Sequence, residues 1–126
     1  MRYRQVKLDN PIPIIRSFDE DKAREFYVEF LGFRVDWEHR FEKGAPLYMQ
    51  ISKDNCVIHV SEHFGDCSPG AALRIEIDDI DEYHKTLNEK QYKDAGPGIT
   101  DQPWGKDMSI SDPFGNRVIF SKLNDV

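Results

Sequence analysis

Two of the chain's four histidines close the run H-V-S-E-H, from His59 to His63. Two imidazoles and the Glu62 carboxylate so close together could hold a divalent metal. The spacing is not H-E-x-x-H, and the run ends an extended segment rather than lying on a helix. It therefore lacks the one-face presentation that a helix gives a pair of metal-binding imidazoles. Alternation instead places His59 and Ser61 on one face as hydrogen-bonding groups, with Glu62 on the other. The second available chemistry is stacking. Trp37 and Phe41 share one face of an alternating segment, with His39 between them, and Trp104 stands between Pro103 and Gly105 in a turn. Flat rings offer a ligand large apolar area at low entropic cost. A bulky indole in a Pro-Trp-Gly turn is hard to place in a core. Asp36, Glu38, Glu62, Asp66 and Asp107 could add negative potential for a cationic ligand, Asp107 most directly because it follows Gly105 by two residues.

The first-half candidates for ligand contact are Trp37, His39, Phe41, Tyr48, His59, Ser61, His63 and Phe64. The second half adds Trp104, Gly105, Asp107 and Ser109. Other chemistries find no residues. The chain has no Gly-rich phosphate loop, no nucleophile elbow, and no Cys and His at a useful spacing. Cys56 and Cys67 read as free thiols, because no export signal points to an oxidising compartment.

These side chains must be held by regular elements. Pro11 to Arg16 reads as a strand whose prolines mark its start or an edge. Ser17 to Asp21 caps a helix whose apolar side chains recur from Ala23 to Leu31, and Gly32 ends it. Phe33 to Phe41 alternates strictly, with Val35, Trp37, His39 and Phe41 on one face and Arg34, Asp36, Glu38 and Arg40 on the other. Leu47–Ser52 and Cys56–Ser61 complete a meander. After the loop His63 to Gly70 the order restarts: strand Ala71–Ile77, a helix capped by Asp78-Asp79, a long loop around Gly96-Pro97-Gly98, and a hairpin of Asp107–Ser111 with Arg117–Ser121. Asp19 and Asp79 open the two helices sixty residues apart, so the chain reads as two copies of one module. The first spans about residues 11–62 and the second about 70–123, packed as one domain over residues 1–126. Strand, helix and antiparallel meander in each copy give the α+β class.

A chain of 126 residues buries enough surface to fold without disulfides or metal. Its mean hydropathy is -0.65 and its apolar runs are short, so no segment suits a bilayer. Met1 to Asn10 is too polar for a signal peptide, which makes the cytoplasm the expected location. The net charge is -6 with scattered basic residues, a poor match for nucleic acid.

Three motifs in order, S-F-D-E-D-K-A-R-E-F-Y-V-E-F-L-G-F, A-L-R-I-E-I-D-D-I-D-E-Y and D-P-F-G-N-R-V-I-F, resemble the vicinal oxygen chelate, or glyoxalase, superfamily over nearly all of the chain after residue 10. The resemblance implies paired βαβββ modules whose mixed sheets curl around a cleft, with helices outside. Catalytic members bind a divalent metal through His and Glu on the strands. The matching positions here are Ile12, Ala72 and Ile119, none of which has a lone pair to offer a metal. Q-P-W-G-K at Gln102–Lys106 and L-G-F-R-V-D-W-E-H-R-F are similar to the metal-free bleomycin-resistance branch. That similarity implies a homodimer that sequesters a bleomycin-type glycopeptide in interface clefts without chemistry. It also implies no cofactor of the protein's own (any metal would enter bound to the drug) and an N-terminal strand open to exchange between subunits about a hinge at Pro11 or Pro13. Two alternatives stay open at this point. One is a glyoxalase- or dioxygenase-like enzyme with a relocated metal site drawn from His39, His59, His63 or Glu76. The other is a carrier of another aromatic small molecule.

If Ile12, Ala72 and Ile119 face the cleft, parity turns Ile14, Arg16, Arg74, Glu76, Arg117 and Ser121 the same way. Ile15, Leu73, Ile75, Ile77, Val118 and Phe120 then face the helices.

Overall fold

The computed structural model describes residues 5–93 and 96–125, so the first four residues of the polar N-terminal stretch lie outside it. β1 (Ile14–Arg16) leads into α1 (Glu20–Ala23), which continues as a π-helical segment, Arg24–Phe30. The meander follows as β2 (Arg34–His39), β3 (Tyr48–Lys53) and β4 (Cys56–Ser61). The second module repeats the order with β5 (Ala72–Glu76), α2 (Ile80–Glu89), β6 (Ile99–Gln102), β7 (Gly105–Ser111) and β8 (Arg117–Leu123). Each module forms one four-stranded mixed sheet, ordered β1-β4-β3-β2 and β5-β8-β7-β6. β1 and β5 run parallel to their neighbours and the other pairs are antiparallel. The architecture is the α+β repeat that the sequence predicts.

Both helices are capped as expected, Asp19 accepting from the Lys22 N–H and Asp79 from the Glu82 N–H. Gly32 ends the first helix at φ 89°. β1 is shorter than the sequence suggests, and the prolines account for it. The His59 N–H donates to the Pro13 carbonyl, so the odd-numbered residues of this strand face β4. Pro11 and Pro13 have no N–H to donate on that side, and pairing stops there. β6 falls where the sequence predicts a long loop. Its four residues, Ile-Thr-Asp-Gln, are too few to show a period, and pairing with β7 makes them a strand.

The side facing the helices holds one apolar core drawn from both modules, including Ile15, Phe26, Phe30, Met49, Ile58, Leu87, Met108, Val118 and Phe120. Leu73, Ile75 and Ile77 pack against it, while Ile12, Ile14, Ala72, Arg74, Glu76 and Arg117 are exposed on the other face, as parity requires. Ile119 and Ser121 share that second face but are buried.

The D-P-F-G-N segment does more than turn the chain. Asp112 accepts hydrogen bonds from the Phe114 and Asn116 N–H groups, from Asn116 Nδ2 and, at 2.6 Å, from the Tyr27 phenol of the first helix. Asn116 Nδ2 also donates to the Arg16 carbonyl, and its Oδ1 accepts from the Ala71 N–H. The motif latches the second module onto the first. Tyr83 makes a second tie, donating to the Leu31 carbonyl at 2.6 Å. Burial pushes both phenols well above the usual tyrosine range. Among the described residues no helix is long and apolar enough to cross a membrane.

Candidate functional site

Sheet register brings the predicted side chains into rows. On the first sheet, Ile14, His59, Gln50 and Trp37 form one row; Arg16, Ser61, Tyr48 and His39 form the next. The expected strict alternation of β2 fails here. A bulge between Val35 and Trp37 leaves Asp36 as an extra residue. Val35 therefore packs on the core, whereas Asp36 and Trp37 both turn to the open face. Beyond the bulge Glu38 and Arg40 swing toward the helix, where they pair with Arg24 and Glu20. Arg34 and Asp36 pair instead with Ser52, Gln50 and each other.

The open face of the first sheet is an aromatic floor. Trp37 and Tyr48 are nearly parallel, their centroids 6.0 Å apart at 10°, and the His59 ring stands edge-on to both. Phe41 packs edge-on to His39 and His63, a second group of rings beside the first. Trp37 is 43% exposed, Phe41 77% and Phe64 96%, so the rings are available to a ligand. His59 is held at both nitrogens, by the Tyr48 phenol at 2.6 Å and the Gln50 side chain at 2.9 Å. Burial pulls its imidazole below the usual histidine range. Ser61 donates to Asp66 and accepts from the His63 N–H, so its hydroxyl shapes the loop rather than facing outward. Arg16 stacks on Phe18 (4.8 Å) and Phe64 (5.9 Å) and donates to the His63 carbonyl.

The second sheet presents Trp104 on the two-residue turn between β6 and β7, 44% exposed. Gly105 is obligatory at this turn: at φ 150° its Cβ would stand 2.0 Å from the Lys122 carbonyl. Asp107 accepts from the indole Nε1–H at 3.0 Å, from Ser121 at 2.7 Å and from Arg74 at 3.0 Å. Burial raises the Asp107 pKa, but these three donors outweigh it and leave the carboxylate below its usual range. The guanidinium of Arg74 lies over the indole, 5.3 Å from the ring centre. Asp107 is therefore a clamp for Trp104 with its charge matched by Arg74. Ser109 is exposed in the row of Ile119 and Arg74.

The structure thus gathers Trp37, His39, Phe41, Tyr48, His59 and His63 on one sheet and Trp104, Gly105, Asp107 and Ser109 on the other. Gln50 was missed as a site residue, although its position two residues from Tyr48 on one strand puts it on the same face. Asp36 needed the bulge. Among the described residues no three His, Cys, Asp or Glu side chains gather as a metal site would require. A groove of about 900 Å³ runs between the Cys56–Ile58 end of β4 and β5, over Phe33, Tyr83 and Phe120, and Arg74 also lines it.

Comparisons with known proteins bear on the fold. No curated protein matches the chain. A glyoxalase/bleomycin resistance protein from Streptomyces sp. CB03234 is 25% identical with a TM-score of 0.70, over 90% of this chain and 100% of that one. The bleomycin-binding protein from bleomycin-producing Streptomyces verticillus, solved with copper(II)-bleomycin, is 23% identical with a TM-score of 0.71 (95% and 100% covered). The bleomycin resistance determinant encoded on transposon Tn5 is 20% identical with a TM-score of 0.73 (94% and 100% covered). The family model described as "Glyoxalase superfamily protein" matches residues 1–126, and the chain belongs to the glyoxalase superfamily.

Proposed function

We propose that this protein binds a bleomycin-type glycopeptide antibiotic and sequesters it without chemistry. The observation that carries this reading is the pair of open aromatic faces, one per module, each held rigid by its own polar network. Pre-set rings lose little freedom on binding a flat heteroaromatic group. The positions matching the superfamily's metal ligands, Ile12, Ala72 and Ile119, offer no lone pair, which supports binding over Lewis-acid catalysis. The chain would need no cofactor of its own, and a metal at the site would arrive with the drug.

Neither face is enclosed by the single chain, which leaves Trp37 43%, Phe41 77% and Trp104 44% exposed. A homodimer supplies the missing wall by setting the first-sheet face of one subunit against the second-sheet face of its partner. The proline stop at Pro11 and Pro13 leaves the preceding arm, with Val6 83% and Leu8 88% exposed, free to pair with that partner. We place this domain of two modules in the cytoplasm, where a drug must be held before it reaches its target.

Isothermal titration with metal-free and copper-loaded bleomycin tests the reading, with sedimentation to establish the dimer. Saturable binding is expected, with Trp37→Ala and Trp104→Ala each costing about 2 kcal/mol or more, the scale of an aromatic hot spot. No heat at micromolar protein with an intact dimer refutes the glycopeptide. Turnover of any ligand, dependent on a stoichiometric divalent ion, refutes the absence of chemistry.

A further inference from the structure

We propose that Asp36, acting through Gln50 and His59, fixes Tyr48 as a hydrogen-bond acceptor in the aromatic floor, so that this face selects planar ligand groups bearing an N–H or O–H donor. The inference rests on the ligand-binding reading of that face and adds the chemical class the face discriminates.

The direction of the relay follows from the group at its end. The Asp36 carboxylate is paired with Arg34 at 3.1 Å and can only accept. Ser52, Gln50 and Arg34 together hold it below the usual carboxylate range. Gln50 therefore turns its amide Nε2 toward Asp36 Oδ2, at 3.1 Å, and its carbonyl Oε1 toward His59. A carbonyl oxygen only accepts, so His59 Nε2, 2.9 Å away, carries the proton. In the neutral ring Nδ1 is then a bare lone pair, and the Tyr48 phenol, 2.6 Å from it, must donate. Flipping the Gln50 amide would set its carbonyl against the Asp36 carboxylate, which is why the chain of donors runs one way.

Tyr48 has spent its only proton inward. Its nearest hydroxyl neighbour in the row, Ser61, donates to Asp66 instead, so no described side chain donates to Tyr48 Oη. The oxygen keeps its lone pairs for a ligand. Trp37, parallel to the Tyr48 ring, offers the negative face of its π-system beside that acceptor. A group matching both is flat and carries a proton on nitrogen or oxygen. An ether, ester or tertiary amine of the same shape would meet lone pairs with lone pairs.

Two measurements test this on the full chain. Long-range proton–nitrogen NMR of the His59 ring near neutral pH, without ligand, should show Nε2 protonated and Nδ1 bare. In Asp36→Asn, whose amide can donate as well as accept, the tautomer should become mixed. A protonated Nδ1 in the native chain, or an unchanged tautomer in Asp36→Asn, overturns the relay whatever the protein binds. Ligand selection is read with 2-aminoquinoline against its N,N-dimethyl counterpart. The amine should bind about tenfold tighter, equivalent to about 1.4 kcal/mol, and Tyr48→Phe should erase the preference. Equal affinities, a preference that persists in Tyr48→Phe, or binding of neither probe overturns the selection. Only the last of these also counts against ligand binding at this face.

Discussion

Removing one oxygen from Tyr27 should weaken the junction between the modules by a calculable amount. Tyr27 is fully buried and its phenol donates to Asp112 at 2.6 Å, the shortest link between the first helix and the D-P-F-G-N turn. Hydrogen bonds to carboxylates contribute about 1.5–3 kcal/mol. Tyr27→Phe keeps the ring and its edge contact with Phe26, so little packing loss is added. Unfolding entropy of about 2.1 cal/mol/K per residue gives about 0.26 kcal/mol/K for the chain, so a loss of about 2 kcal/mol lowers Tm by about 8 °C. Urea titration and thermal melting by circular dichroism measure both numbers. Tyr92→Phe is the internal control, because its buried phenol oxygen makes no hydrogen bond of good geometry among the described residues, only looser contacts with Glu25 and Lys93. It should leave stability unchanged or raise it. If Tyr27→Phe falls within about 0.5 kcal/mol of wild type, or no lower than Tyr92→Phe, the latch is packing alone and the hydrogen bond contributes nothing.

Asp107→Ala should release the indole and strand the buried Ser121 hydroxyl, costing about 1–3 kcal/mol and changing Trp104 fluorescence anisotropy; an unchanged anisotropy refutes the clamp. Gly105→Ala should destabilise more than a typical surface change, or prevent soluble expression, because its Cβ would overlap the Lys122 carbonyl; a melting point equal to wild type refutes the constraint. Burial lowers the His59 pKa in the folded chain below the unfolded value of about 6.5. Between those two values the unfolded state binds the extra proton, so stability rises with pH and is lost as pH falls through the folded value. Urea midpoints below about pH 6.5 should therefore decline, and by less in His59→Gln; a flat profile in the native chain contradicts the shift.

The sequence by itself determined the elements and their sidedness. Capping residues, the glycine after Leu31 and the alternation of Leu73 to Ile77 are local signals, and burial followed them. The sixty-residue repeat likewise announced two modules, because each copy carries its own cap and meander. It also put Trp37, His39 and Phe41 on one common face, although strict parity kept them with Val35, which packs on the core. Tertiary structure decided how those rings are held. Pairing with β3 opened the bulge that sends Asp36 and Trp37 to the same side, and a bulge depends on the partner strand's register. β6 became a strand only through β7. Asp107 changed from a free charge into the clamp of Trp104 because Arg74 and Ser121, both distant in the chain, converge on it. The D-P-F-G-N turn became an inter-module latch because Tyr27, 85 residues away, reaches Asp112. Spacing along the chain fixes which face a side chain takes wherever the ladder is regular. Which donor meets which acceptor is set by strand pairing within each module and, at Asp112, by the closing of the two modules on one core.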